Sequence, residues 1–396
     1  MQSAKPDYRG GGIVNLMSSI IQGRGGRSDH PPLERLPPAE LTEAANLILL
    51  VIDGLGADWL ARHGPETLLA RSLRSPITSV FPPTTAAAIP TYLTGAAPLE
   101  HGLTGWFTYL RELGCVMTVL PGVPRYGGVS YRRAGIDPKA LFPTPSVFER
   151  MGARGFALSP AFIAHSDFNR AHTTGAEILT FETLEQAFRQ CLRLVQPGPR
   201  WPLGKGTRQP SYSYVYWPRL DSIGHELGME SDAAKAHLLE IDQAIGDFLA
   251  AAAGTDTLLL VCADHGQLDT QPSDVIDMAQ HPQLADTLIL PICGEPRAGL
   301  CYVRPDAKAS FLSYCETELR DLVDCVPSRQ LVEDGYFGEG AAHPSFTDRV
   351  GDFCILPRGH RVLSERLPSE PPHPQVGVHG GLSNAELMVP LCVLTA

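Results

Sequence analysis

The chain lacks most of the features that would place it in a special class. Basic residues are scarce: 32 Lys and Arg face 43 Asp and Glu, a formal charge of -11. That balance argues against a nucleic-acid scaffold, because binding a phosphate backbone needs clustered Lys and Arg. No apolar run approaches the roughly 18 to 20 residues that a membrane-spanning helix requires. The stretch from Ile13 to Ile21 is interrupted by Asn15, Ser18 and Ser19, and it has neither a basic leader nor a clear cleavage site. The expectation is a soluble, cytoplasmic protein. Its nine cysteines are odd in number, and several, such as Cys262 and Cys354, lie in apolar runs. This favours buried reduced thiols over a disulfide framework. There is no internal repeat.

What is present is α/β alternation. At 396 residues the chain suits one large domain with insertions, or two domains. The segment 1–44, rich in Gly, Arg and Pro, reads as an irregular N-terminal arm, and the scaffold runs from 45 to 396. Leu47–Ile52 is a buried strand ending at Asp53-Gly54, and Leu258–Cys262 is another, ending at Asp264-His265-Gly266. Tyr212–Tyr216 is a third. It leads into a loop with Asp221 and His225, then a helix capped by Ser231 or Asp232 whose apolar residues recur at helical spacing. A strand-helix-strand crossover of this kind is right-handed and delivers both ligand loops to one sheet edge. Ligand sites in open α/β sheets form at the carboxyl ends of the strands. The stretches 106–205 and 270–375 carry none of these motifs and are candidate cap insertions. Pro368–Pro374 is a loop leading into His379.

Asp and His are oxygen and nitrogen donors suited to zinc and similar cations, and three or four ligands with an open position mark a catalytic metal. Asp221 and His225, four residues apart, can both face one metal. Asp264 and His265 are adjacent donors at a strand end. Each residue also has a plainer use taken singly: Asp53 and Asp221 suit turns, and His225 and His379 suit ordinary loops. Thr85 follows Pro82-Pro83-Thr84 where a small-residue helix begins, a setting that favours a phosphate. A threonine hydroxyl is a poor nucleophile unless a cation stabilises its alkoxide. Local reasoning leaves Thr84 and Thr85 equivalent. His101, His165, His172, His281 and His343 receive no role.

The ordered set Asp53-Gly54, Pro83-Thr84-Thr85 with Thr94-Gly95, Asp221-x-x-Gly224-His225, Asp264-His265-Gly266 and His379-Gly380 resembles the alkaline phosphatase superfamily, in particular its type I phosphodiesterase/nucleotide pyrophosphatase branch. The motifs occupy 45–105, 212–267 and 376–396. The resemblance implies a three-layer α/β sandwich with a largely parallel central sheet and inserted caps. It also implies two divalent metal ions, zinc first among them. Asp221, His225 and His379 would hold one; Asp53, Asp264, His265 and the Thr85 oxygen would hold the other. Thr85 is then the nucleophile of a phosphodiesterase that cleaves a small-molecule phosphate ester through a phosphothreonine.

The chain departs from this pattern in one respect. The nucleotide pyrophosphatases follow their threonine with Phe-Pro-Asn, whereas this chain has Ala86-Ala87-Ala88, which puts a nucleotide substrate in question. No basic side chain occurs in 84–91, which favours a diester over a dianionic monoester, although Arg74, Arg170 or Arg297 can approach from elsewhere. The alternatives are a phosphomonoesterase, a phosphosugar mutase or a metal-stabilised binding protein without catalysis. A sulfatase is excluded, because no Cys/Ser-x-Pro-x-Arg surrounds Thr85.

Overall fold

A computed structural model describes residues 5–196, 209–368, 370 and 374–396. Parts of the proposed cap stretch 106–205 and of the loop 368–374 therefore lie outside the described residues. The central sheet has seven strands in the order Leu73–Thr78, Met388–Thr395, Thr257–Cys262, Asn46–Ile52, Ser211–Trp217, Arg154–Pro160, Glu177–Phe181. The last five are mutually parallel, with Leu49 level with both Leu260 and Tyr214. Met388–Thr395 runs antiparallel to both of its neighbours. Every residue of the three middle strands is buried. This is why Asn46–Ile52 and Thr257–Cys262 read as nearly continuous apolar runs, and why Ser211–Trp217 is buried even where serine alternates with tyrosine: helices cover both faces of a parallel sheet.

Helix Asp232–Ala251 begins at Ser231, whose hydroxyl accepts the Ala234 N–H. It packs on helix Leu184–Val195 through the stacked rings of Phe188 and Phe248, 5.2 Å apart. The expected loop around Asp221 is instead helix Arg219–Leu227, so Asp221 and His225 lie one turn apart on one helical face. Gly224 between them is set by packing rather than by a turn, since a Cβ there would stand 2.2 Å from Gln267 Oε1 and 2.7 Å from Met229 Sδ.

The N-terminal segment also differs from expectation. Helix Ile13–Gly23 is almost wholly buried and packs against helix Thr85–Thr94. The three polar residues that interrupt its apolar pattern bind backbone instead of water. Asn15 Nδ2 donates to the carbonyls of Tyr8 and Pro31, Ser18 donates to the His30 carbonyl, and Ser19 accepts the Leu33 N–H. Satisfied in this way, they carry little of the usual burial cost.

A second seven-stranded sheet, antiparallel throughout, draws on both motif-free stretches. Its order is Val323–Pro327, Phe353–Pro357, Ala298–Cys301, Cys293–Glu295, Phe107–Leu110, Cys115–Thr118, Val123–Pro124. The strands Arg154–Pro160 and Glu177–Phe181 and helix Leu184–Val195 also fall within 106–205, yet they belong to the central sheet and its covering layer. The strand Cys293–Glu295 brings the second sheet against the start of helix Thr85–Thr94 through Glu295 and Thr84.

Candidate active site at the carboxyl edge of the central sheet

The carboxyl ends of Asn46–Ile52 and Thr257–Cys262 deliver Asp53, Asp264 and His265, which are 2%, 0% and 0% exposed. His265 Nε2 lies 3.3 Å from Asp53 Oδ1 and 3.4 Å from Asp264 Oδ2. Gly54, with φ +78, turns the chain so that its N–H reaches Asp264 Oδ1 at 3.2 Å. Gly266 lies against Gly56 so closely that a Cβ would stand 2.8 Å from the Gly56 Cα. The glycine after His265 is therefore a packing requirement.

The second group sits beside the first. Asp221 Oδ2 is 3.3 Å from His225 Nε2, and Asp221 Oδ1 is 3.9 Å from His379 Nε2. The His379 ring stacks on His265 with centroids 3.7 Å apart. The structure thus brings Asp53, Asp221, His225, Asp264, His265 and His379 into one cluster. Within it, the donor atoms of Asp53, Asp264 and His265, and those of Asp221, His265 and His379, lie within 4.8 Å of one another. His265 is common to both triads.

Thr85 faces this cluster from the first position of helix Thr85–Thr94. Its hydroxyl is 3.2 Å from His265 Nε2 and 3.5 Å from Asp53 Oδ2. Thr84 is turned the other way and donates its hydroxyl to Glu295 Oε1 at 2.7 Å. The Thr84 carbonyl takes the N–H groups of Ala87 and Ala88. The Thr85 and Ala86 N–H groups, at the first two helical positions, have no acceptor within the helix.

The hydrogen-bond pattern fits cations. Each histidine presents Nδ1 to a backbone carbonyl: His265 to Gly266 at 3.0 Å, His225 to Gly377 at 2.7 Å, His379 to Pro83 at 3.2 Å. Carbonyls only accept, so Nδ1 carries the proton in all three and the Nε2 lone pairs point into the cluster. Asp53 Oδ1 and Asp264 Oδ2 are buried with no hydrogen-bond partner. Orphaned carboxylate oxygens beside an Nε2 lone pair are costly unless a cation joins them. Burial, reinforced by Asp221 and Asp264, holds the Asp53 carboxyl well above its ordinary range, and burial raises Asp264 as well. Burial, followed by the neighbouring His265 and His225, pushes His379 well below its ordinary value, so its ring is neutral.

A sequence profile of the type I phosphodiesterase / nucleotide pyrophosphatase family matches residues 47–380. The chain belongs to this family. Its membership supports phosphoester hydrolysis with divalent metal ions, and the two triads are candidate positions for those ions. The fold is of the alkaline-phosphatase type. Murine ectonucleotide pyrophosphatase/phosphodiesterase 5, as an inactive threonine-to-alanine variant with AMP, superposes with a TM-score of 0.65 at 13% identity, covering 88% of this chain and 87% of that one. The human protein of the same name gives 0.64 at 13% identity, covering 88% and 87%. Phosphonoacetate hydrolase from Sinorhizobium meliloti 1021, in complex with phosphonoformate, gives 0.61 at 17% identity, covering 87% and 89%. A search of curated proteins by sequence finds no match.

Three side chains that shape this family site escape sequence reasoning. The Tyr216 hydroxyl donates to Asp53 Oδ2, and Gln267 Nε2 donates to Asp221. Glu295 Oε1 accepts from both the Thr84 hydroxyl and the Trp106 N–H, the latter at 2.6 Å; burial raises its carboxyl to about 7. Tyr216 and Gln267 sit next to motifs that sequence reasoning does find, whereas Glu295 carries no local signal. The candidate arginines are engaged elsewhere. Arg74 pairs with Glu40 at 3.0 Å, Arg170 Nε donates to the His165 carbonyl, and Arg297 is buried against Glu386 at 2.8 Å. Among the histidines without a role, His101 lies 3.3 Å from the Thr91 hydroxyl, His172 bonds the Phe168 carbonyl and His281 the Tyr314 hydroxyl.

Proposed function

We propose that the protein is a two-zinc phosphodiesterase that cleaves its substrate through a phosphothreonine on Thr85. The observation that carries this reading is the Thr85 hydroxyl at a helix start, facing His265 Nε2 and Asp53 Oδ2. Asp53, Asp264, His265 and Thr85 would hold one ion, and Asp221, His225 and His379 the other. When bound, such ions lower the pKa of the hydroxyl and neutralise charge on the phosphoryl oxygens.

The chain's own groups do the rest. His265 Nε2 and Asp53 Oδ2 are the acceptors within reach of the Thr85 hydroxyl, at 3.2 Å and 3.5 Å. The Thr85 and Ala86 N–H groups, with the positive end of the helix dipole, offer donors to a phosphoryl oxygen at the start of a helix that has Ala88 where the family carries Asn. Thr85 Oγ1 attacks phosphorus, the bond to one ester oxygen breaks, and that alcohol leaves. Water then cleaves the phosphothreonine to release a phosphate monoester and restore the hydroxyl. Two inversions give retention at phosphorus.

A diester is favoured because Arg74 and Arg297 are ion-paired elsewhere and Arg170 bonds the His165 carbonyl, so none of these three candidates is seen to serve a dianion. The threonine-to-alanine change that leaves the murine relative inactive supports Thr85 as nucleophile. We assign substrate choice to the second sheet, which abuts Thr84, and treat 45–396 as the catalytic unit. The partner is a small phosphate ester. No helix among the described residues is long and apolar enough to cross a membrane. A cytoplasmic location is supported by nine unpaired thiols.

The test is metal content together with hydrolysis of bis-p-nitrophenyl phosphate and p-nitrophenyl phosphate. Wild type is expected to hold two metals and prefer the diester. Thr85→Ala is expected to keep both metals and lose at least roughly 10³-fold in turnover. Activity retained in Thr85→Ala overturns the nucleophile. Two metals with no turnover on either ester favours a binding role, and phosphate returned to substrate rather than water identifies a mutase.

A further inference from the structure

Gln267 belongs by sequence to the first triad, two residues after His265, yet its side chain serves the second. Nε2 donates to the Asp221 carbonyl at 3.1 Å and also to Asp221 Oδ1. Both partners only accept, so the amide orientation is fixed by chemistry. The other end of the amide is then in an unfavourable place: Oε1 is buried with no hydrogen-bond partner. It is wedged between two glycines. A Cβ at Gly224 would stand 2.2 Å from Oε1 and one at Gly377 2.4 Å, while a Cβ at Gly54 would stand 3.2 Å from Nε2.

These three glycines flank the donors. Gly54 follows Asp53, Gly224 precedes His225, and the Gly377 carbonyl holds His225 Nδ1 at 2.7 Å. An apolar side chain of the same length would fill this slot without leaving a carbonyl unpaired. What the amide adds is its grip on Asp221. Oδ1 is thereby occupied, while Oδ2 faces His225 Nε2 at 3.3 Å.

We propose that Gln267 is a positioning residue that clamps Asp221 to the strand-end motif, so that the cation subsite formed by Asp221, His225 and His379 depends on an amide carried by the chain of the other subsite. This rests on the two-cation reading above. Gln267 makes no hydrogen bond to Thr85 and acts through Asp221. Its loss weakens one subsite and spares the other, because Asp53, Asp264 and His265 make no hydrogen bond to it.

The test is calorimetric titration of metal-free full-length protein with zinc chloride, for wild type, Gln267→Met and Gly224→Ala, with a thermal melt of each metal-free protein. Gln267→Met keeps the length and removes the donor. Gly224→Ala keeps the amide but displaces it, and alanine is the better residue in a helix. Wild type is expected to show two binding events. Both variants are expected to fold, to keep one event unchanged, and to weaken the other by about 10- to 100-fold, the range usual for groups that orient metal ligands. Folded variants with both affinities unchanged overturn the clamp alone. Equal weakening of both events also overturns it, since that marks a general packing defect. Fewer than two events in wild type overturns the two-cation reading itself.

Discussion

The two halves of the site are built differently. Asp53, Asp264 and His265 stand at the ends of adjacent parallel strands and are essentially sealed from solvent. Asp221 and His225 ride on a nine-residue helix, and His379 on a loop; the Asp221 and His225 side chains retain 14% and 19% exposure. The sealed half, though tied by Tyr216, the Gly54 N–H and the Gly266 carbonyl, still leaves one oxygen of each carboxylate unpartnered, whereas Asp221 is tied by Gln267 and His225 by the Gly377 carbonyl. A sheet can hold bare charges in place because its backbone ladder fixes the Cα positions. A helix and a loop need side-chain and carbonyl ties to reach comparable order. The strand-end half should therefore be rigid and electrostatically strained without cations, and the helix half adaptable and relaxed.

The largest expected effect comes from neutralising the sealed half. Asp264→Asn keeps an oxygen for the Gly54 and His265 N–H groups, but its new amide donates to His265 Nε2 and blocks that lone pair. Zinc is expected to be lost from this half, and diester turnover to fall by at least roughly 10³-fold. The metal-free protein, by contrast, is expected to melt at a higher temperature at neutral pH, because burial penalises the native carboxylate. A lower melting temperature would refute the contrast between a strained and a relaxed half.

Next in size is His225→Ala, which opens the helix half. Turnover is expected to drop by about 10²-fold while one zinc remains bound, as metal analysis and diester kinetics will report. Loss of both ions would mean that the halves are not separable.

The smallest effect concerns Glu295, which joins the second sheet to Thr84. Its carboxyl is raised to about 7, so the folded protein favours the neutral form. The stability it contributes is full below pH 4.5, the ordinary glutamate value, and is lost as pH rises through about 7. The difference amounts to on the order of 3 kcal/mol. Glu295→Gln is expected to flatten the fall in melting temperature of the metal-free protein between these limits and to change turnover only about several-fold, because the Gln oxygen still accepts from Thr84 and Trp106. An unchanged pH profile would remove Glu295 from this role.

Much of the scaffold is legible in the chain. Leu47–Ile52 and Leu258–Cys262 are apolar throughout because both faces of a parallel sheet are covered, and the polar residue that ends each run marks where the strand leaves the core. Helix Asp232–Ala251 announces itself by apolar spacing and by Ser231. Helix Ile13–Gly23 does not, because its polar residues are satisfied by carbonyls and N–H groups elsewhere in the chain, and a hydropathy pattern records only that they are polar. The helix under Asp221 and His225 is hidden for a related reason: Gly224 suggests a turn until Gln267 is seen to fill its Cβ position.

The sequence by itself determined the parallel α/β scaffold, the donor residues at its strand ends and their order along the chain, because burial and donor chemistry are properties of single residues and short windows. Thr85 follows from the family resemblance, but only the tertiary structure decided that Thr84 turns away to Glu295, that all three imidazoles present Nε2, and that Tyr216 and Gln267 hold Asp53 and Asp221. Apart from His265, which bonds the carbonyl of the next residue, those outcomes rest on hydrogen bonds between residues far apart in the chain, such as Thr84 with Glu295 and Tyr216 with Asp53. Such partners meet only when the sheets have assembled, and no local propensity encodes them.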